Sequence, residues 1–351
     1  MNYPHNLYIH VPFCRSKCKY CAFYSVACEK PDWEKYCQNI CDEIKFWANR
    51  LGKIEIPTVF FGGGTPSLMP VDVMARILQT VSDNFIVNKD CEITMESNPK
   101  TLNHEKLSDF VSMGINRLSV GVQSLNDDEL KFLGRCHNAK EALDLLNIAQ
   151  NMNIRVSADF IYGLPGHNVK SVVDLCNEIN KLGLEHVSLY ELTIEENTPF
   201  GKMNLDMPNN ETMAQMYTEI PNVLNLPRYE VSNYAVPGQE CRHNKNIWNG
   251  EPYIGIGKAA AGRVYMKGVW YEQKGNNELL EKIPNDMRAI EKIITGMRTV
   301  SGVRLDSDIK SQLNTDWILK HHDLVVMDEN SLRATDAGML ILDDLIMEIT
   351  K

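Results

Sequence analysis

Six short β-rich runs, separated by stretches of helical periodicity, constrain what this chain can fold into more than any other feature. The runs are Leu7 to Val11, Thr58 to Phe61, Glu92 to Glu96, Arg117 to Gly121, Arg155 to Asp159 and His186 to Tyr190. Between them, helical patterns cover Asp32 to Asn49, Val71 to Asn84, His104 to Met113, Ala139 to Asn151 and Val169 to Lys181. Each is long enough for the crossover that parallel neighbours require. This alternation predicts an α/β fold with a parallel sheet, and six βα units predict a partial (βα)6 barrel.

In that register the strands deliver polar chemistry at their C-terminal ends, the edge where parallel barrels keep their active sites. The first strand runs into YIHVPFCRSKCKYC, in which Cys14, Cys18 and Cys21 have Cys-x3-Cys-x2-Cys spacing. Thiolates are the usual ligands of iron–sulfur clusters, and three of them leave one corner of a four-iron cubane open for a substrate or cofactor. Zinc is the alternative, but the nearest further donors, Cys28 and His10, complete no familiar zinc pattern. Buried cysteines without a metal are the other alternative.

Strand two leads into Gly62, Gly63, Gly64, Thr65 and Pro66, whose small residues let backbone approach a ligand. Strand three ends on Glu96, strand four is followed by Gln123, strand five closes on Asp159, and strand six on Tyr190 and Glu191. Singly these have plain explanations. The glycines suit a tight turn, Glu96 and Asp159 suit helix caps, and Gln123 and Arg135 suit solvated loops. Together, at one edge with an open cluster, they point to a shared site.

Composition narrows the class. At 351 residues and 44% hydrophobic, the chain buries a large core and is expected to form one large domain plus a smaller one. Six of ten cysteines fall in the first 41 residues with no signal peptide ahead of them, which argues for a reducing, cytoplasmic setting rather than a disulfide framework. No apolar run approaches the ~18–20 residues that cross a bilayer. A formal net charge of −10 argues against nucleic acid as a partner. Cys37 and Cys41 share a helix face and read as small core residues, and the 16 methionines read as core filling.

The cysteine triplet, with Tyr20 before its last member, is followed by FFGGGTPS, MESNP, RLSVGVQSLND and ADFIYGLPG. In this order the motifs resemble the radical S-adenosylmethionine superfamily over almost the whole chain, and within it the branch of oxygen-independent coproporphyrinogen dehydrogenases and haem chaperones. The resemblance implies a [4Fe-4S] cluster on Cys14, Cys18 and Cys21 whose open iron is chelated by S-adenosyl-L-methionine. An injected electron then cleaves the sulfonium to a 5′-deoxyadenosyl radical. It further implies that Tyr8, Gly63 and Glu96 line one S-adenosylmethionine position. Tyr20, Gly64, Thr65, Gln123, Arg135 and Asp159 match positions used for a nucleoside ligand as well.

Two departures lead away from the dehydrogenases. Phe23 stands where their pattern has a further cysteine, and only seven residues precede Tyr8 where they carry an extension. The segment ECRHNKNIWNG, with Cys241, His243, Asn244 and Trp248, resembles the chaperones' His-Asn-x-x-Tyr-Trp motif associated with haem, with Ile247 in place of the tyrosine. His243 is therefore a candidate axial ligand, the alternative being a buried histidine with a satisfied hydrogen bond. The function implied is a haem chaperone that binds haem as cargo and hands it to apo-proteins. The alternative is an oxidoreductase acting on a porphyrinogen. A homodimer and an electron donor are further partners that the resemblance implies.

Beyond the barrel, Tyr229 to Tyr234 reads as a strand and Gly255 to Gly262 as a glycine-rich stretch. Met287 to Arg298, Ser307 to Leu313 and Asp316 to Lys320 read as helices. A hairpin of Leu324 to Met327 and Ser331 to Ala334 and a last helix over Ala337 to Ile349 follow. The expected division is 1–235 for the barrel, 236–285 for a connecting segment with the haem motif, and 286–351 for a winged-helix-like domain, which lacks a basic stripe and suits a packing or lid role.

Overall fold

The structure, a computed structural model, describes residues 3–274 and 279–351. Its main sheet contains six parallel strands in chain order: β1 (Asn6–Val11), β2 (Thr58–Gly63), β3 (Glu92–Ser97), β4 (Arg117–Gln123), β5 (Arg155–Tyr162) and β6 (His186–Glu191). The expected α/β partial barrel is the observed fold. Helices Trp33–Leu51, Val71–Asn84, His104–Ser112, Ala139–Gln150 and Val169–Lys181 form the crossovers. All but Val71–Asn84, which follows Pro70, have their starts capped by side chains: Asp32 accepts from the Lys35 amide, and Asn138 with Glu141 forms a reciprocal capping box.

The period of two in the strands sorts the side chains. Leu7, Ile9, Val11, Val59 and Phe61 are fully buried against the helices, where Ile40, Ile44, Trp47 and Ile77 meet them. Tyr8, His10, Phe60, Glu96 and Asp159 occupy the alternate positions, on the barrel's inner face. Cys37 and Cys41 lie buried on the first helix with their sulfurs 4.0 Å apart, as core residues.

The stretch 236–285, expected as a connecting segment, is corrected by the structure: it adds four strands to the same sheet. Of these, β8 (Tyr253–Ile256) lies parallel to β1 and covers its otherwise free edge; β9 (Gly262–Met266), β10 (Val269–Lys274) and β11 (Leu279–Ile283) continue antiparallel. At the opposite edge β7 is only Asn233–Ala235, shorter than the strand expected from Tyr229. Residues after 284 gather a second hydrophobic core around Ile293, Leu313, Val325, Leu332 and Ile349. There Val325–Met327 and Ser331–Ala334 pair as the expected hairpin, with Asp328 accepting from the Asn330 and Ser331 amides in its turn. The expected last helix is two, Asp336–Leu340 and Leu342–Ile349.

The N-terminal edge of the barrel is closed by charge. Glu92, Arg117, Arg155 and His186 begin four successive strands. The Glu92 carboxylate, almost fully buried, accepts from Arg155 and from the backbone amides of Arg242 and His243 at 2.9 Å each. Burial pushes its pKa up, but Arg117, Arg155 and these amides outweigh that and hold it below the usual value. Removing the carboxylate takes from Arg117, itself buried, the carboxylate that attracts it most strongly, with Asp159 a weaker one, and leaves the Arg242 and His243 amides without their acceptor. Glu92→Ala is therefore expected to destabilise the protein by about 3–5 kcal/mol, read as a lowered urea midpoint at unchanged slope.

Candidate functional site: a cavity pair at the C-terminal edge of the barrel

The segment after β1 is pinned before any ligand is considered. Gly64 and Thr65 donate backbone hydrogen bonds to Val11 and Phe13, Lys19 donates to Leu133, Phe200 donates to Lys19, and Cys28 donates to Cys14, all at 2.7–3.1 Å. Gly134, at φ +77° after helix Asp127–Leu133, permits the close pass, since a Cβ there would meet Lys19 at 3.1 Å. Cys14, Cys18 and Cys21 are thus presented on one fixed loop, each partly exposed.

Two adjoining cavities of about 370 Å³ and about 440 Å³ open at this edge and share Phe23, Gly63 and Glu96. The first is lined by Tyr8, Gly63 and Glu96, joined by His10, Tyr24 and Ile247. The second brings together Cys14, Cys18 and Cys21 with Tyr20, Gly64 and Thr65 on one side and Gln123, Arg135 and Asp159 on the other. Of the first set named from the sequence, Tyr8 lines only the first cavity while Gly63 and Glu96 stand between the two; the second set lines the second cavity.

Local backbone explains the placement. Gly63 has φ +109°, and a Cβ on it would lie 2.3 Å from the His10 ring. Its amide donates to Glu96 Oε2 at 3.0 Å. Gln123 adopts φ +70°, at a shift of register between Gly121 and Gln123 where β4 meets β5. A left-handed residue at a bulge re-aims a side chain at the strand's end, and such strain concentrates at functional sites. Tyr8 donates its hydroxyl proton to His10 Nδ1 at 2.9 Å, and His10 Nε2–H donates to the Tyr24 carbonyl at 2.8 Å, so the inner wall holds the outer loop.

Arg135 sends Nη1 to Cys18 Sγ at 3.3 Å and Nη2 to the Gly121 carbonyl at 2.7 Å, while its buried Nε has no partner among the described residues. Thr65 Oγ1 donates to Cys14 Sγ at 3.6 Å. Burial pushes the Cys14 and Cys21 thiols up, so metal loading displaces protons there. Among the described residues no three His, Cys, Asp or Glu side chains close around a single ion. A cubane asks each thiolate to reach a different iron and does not need that convergence. Glu96 is pushed up to about 7 by burial and by Asp159, and Asp159 is itself raised by burial despite hydrogen bonds from Ser119 and Ser188. Two partly uncompensated carboxyls beside three thiols favour a ligand carrying positive charge. An aminoacyl sulfonium nucleoside supplies it, so the donor set fits both the cluster and S-adenosylmethionine.

His243 is the exception among the residues named from the sequence: it lies away from this site. It lies on helix Arg242–Trp248 at the other end of the barrel, 2% exposed, stacked on Phe60 at 5.0 Å. Thr58 donates its hydroxyl to Asn6 and so accepts from His243 Nδ1–H at 2.7 Å. Nε2 then carries the lone pair and has no partner, but it is enclosed, and burial pushes the imidazole down to about 4. A porphyrin plane cannot reach it while that helix is seated. The same motif does touch the site through Ile247, in the lining of the first cavity. Sequence reading did not assign His10, Ser119 or Ile247 to these cavities; inward alternation from Tyr8 and Gly121 marks the first two, while the third was noted only for its place in the haem-associated motif.

A parallel partial barrel with three thiols after its first strand and carboxyls on its third and fifth is the arrangement of a radical S-adenosylmethionine protein. The family model of the Radical SAM superfamily matches residues 8–179. The heme chaperone HemW of Haemophilus influenzae is 30% identical, covering 98% of this chain and 97% of its own length. That of Escherichia coli is 36% identical over 74% of this chain and 70% of its own. Among solved structures, coproporphyrinogen III oxidase (HemN) from Escherichia coli superposes with a TM-score of 0.81 at 21% identity, covering 99% of this chain and 90% of that one, a likeness of fold. The chain belongs to the radical SAM superfamily, in the oxygen-independent coproporphyrinogen oxidase-like branch that includes HemW. Membership implies a [4Fe-4S] cluster and S-adenosylmethionine. No helix among the described residues is long and apolar enough to cross a membrane.

The raised Glu96 gives a signed prediction. Its pKa goes from 4.5 unfolded to about 7 folded, so folding takes up a proton between these values and stability falls as the pH rises through them. Glu96→Gln is expected to stabilise the ligand-free protein by about 2 kcal/mol at pH 8, after allowance for water in the cavity, and by much less near pH 5. Urea titrations at the two pH values check this; a gain independent of pH contradicts it.

Proposed function

We propose that this protein is a haem chaperone that binds haem and passes it to apo-proteins, with Cys14, Cys18 and Cys21 as cluster ligands. The observation that carries the reading is the match to HemW of Haemophilus influenzae along 98% of this chain. Phe23, in place of the dehydrogenases' additional cysteine, supports it. In this reading Tyr8, Gly63 and Glu96 line one S-adenosylmethionine position, and Tyr20, Gly64, Thr65, Gln123, Arg135 and Asp159 serve a nucleoside ligand as well. When bound, the cluster and S-adenosylmethionine supply one-electron cleavage of a sulfonium. The chain's residues do the positioning. The Glu96 and Asp159 carboxyls attract the cationic groups, the Arg135 fork steadies Cys18 beside the second cavity, and glycine backbone leaves room for a flat base. A cytoplasmic setting, an electron donor, a homodimer and a lid role for residues 286–351 belong to the same reading.

Anaerobic reconstitution tests it. Iron and acid-labile sulfide are expected at about four each per chain, the complement of one cubane. The paramagnetic resonance spectrum of the reduced cluster is expected to change on adding S-adenosylmethionine, and Cys18→Ala is expected to abolish the cluster. Hemin is expected to bind and to move to a haem-free acceptor protein. Turnover of coproporphyrinogen without haem uptake overturns the proposal.

A further inference from the structure

The cluster loop ends in two aromatic residues that edge the cavities and also face outward. Phe23 is 70% exposed and Tyr24 39% exposed, adjacent residues at the mouth where the two cavities meet. Water-facing aromatic pairs at a cavity mouth are costly unless something covers them. Here the pair is also held in place: Tyr24 is tied through its carbonyl to His10.

Charge identifies the cover. Residues 13–28 carry Arg15, Lys17 and Lys19 and no Asp or Glu, in a chain of net charge −10. Lys17 Nζ reaches the Phe23 carbonyl at 3.4 Å, and Lys258 Nζ stands 5.2 Å from the centre of the Tyr24 ring. Both lysines are exposed, so each ammonium is open to an anion from outside. An exposed phenyl ring beside a tyrosine ring that carries one lysine ammonium over its face, with a second ammonium at the neighbouring carbonyl, complements a flat apolar macrocycle with two carboxylates.

We propose that haem docks on Phe23 and Tyr24 at the cavity mouth, its propionates meeting Lys17 and Lys258, rather than at His243. This rests on the chaperone reading and locates its cargo. The sealed position of His243 removes the competing surface, and the platform places the cargo directly over the cluster loop. An acidic face of a donor protein is the alternative occupant.

Hemin titration of the full chain, followed by its absorbance, decides the matter. Phe23→Ser with Tyr24→Ser is expected to weaken hemin binding about tenfold or more, from two lost ring contacts. Lys17→Glu with Lys258→Glu is expected to weaken hemin binding but to leave binding of the hemin dimethyl ester, which lacks free carboxylates, unchanged. Full hemin affinity in both pairs of variants overturns the platform while leaving the chaperone reading standing, as does retained hemin binding with loss only of cluster reduction by an acidic donor protein. A wild-type chain that takes up no hemin overturns both.

Discussion

Two carboxylates on one strand, Glu92 and Glu96, set the electrostatic axis on which the rest of the structure depends. They lie on the same face of β3, about 13 Å apart along the strand, and their surroundings are opposite. Glu92 is enclosed with Arg117, Arg155 and two helix amides, and is held ionised. Glu96 has one amide and the like charge of Asp159, and is pushed toward the neutral form. One end of the barrel is therefore internally neutralised and serves as foundation. The other is left short of positive charge and is completed by what binds there.

The same division organises the segment Cys241–Trp248. Its first turn belongs to the foundation, since the Arg242 and His243 amides and the His243 ring all bind the start of β2 or β3. One turn on, Ile247 lines the first cavity. A short helix seated in the open side of a partial barrel thus links the buried charge cluster to the ligand space. Tyrosine at position 247 would carry a polar group where this chain has an apolar one.

Much of this was legible in the sequence. Val71–Asn84 and Val169–Lys181 begin and end where periodicity predicts, and the parallel strands differ from expectation by up to three residues at an end. The helices are long and amphipathic and the strands alternate with a period of two, so local and tertiary preferences agree. Cys14, Cys18, Cys21, Glu96, Asp159 and Arg135 converge at one edge because inward alternation and the polarity of parallel strands suffice to bring them there. His243 was not legible, because a histidine's fate depends on what faces it, and its partners Thr58 and Glu92 are over 150 positions away. Strand β8 was missed for a related reason. Tyr253–Ile256 is short and merges into a glycine-rich run, and only its docking beside β1 makes it a strand.

That docking has a consequence for how the molecule is made. During ribosomal synthesis this strand emerges long before the neighbour on its outer side, which follows some 250 residues later. Until then one row of its amides and carbonyls faces water, so the nascent chain has an unprotected flank that invites mispairing. Closure of this strand's outer edge is deferred until most of the polypeptide exists.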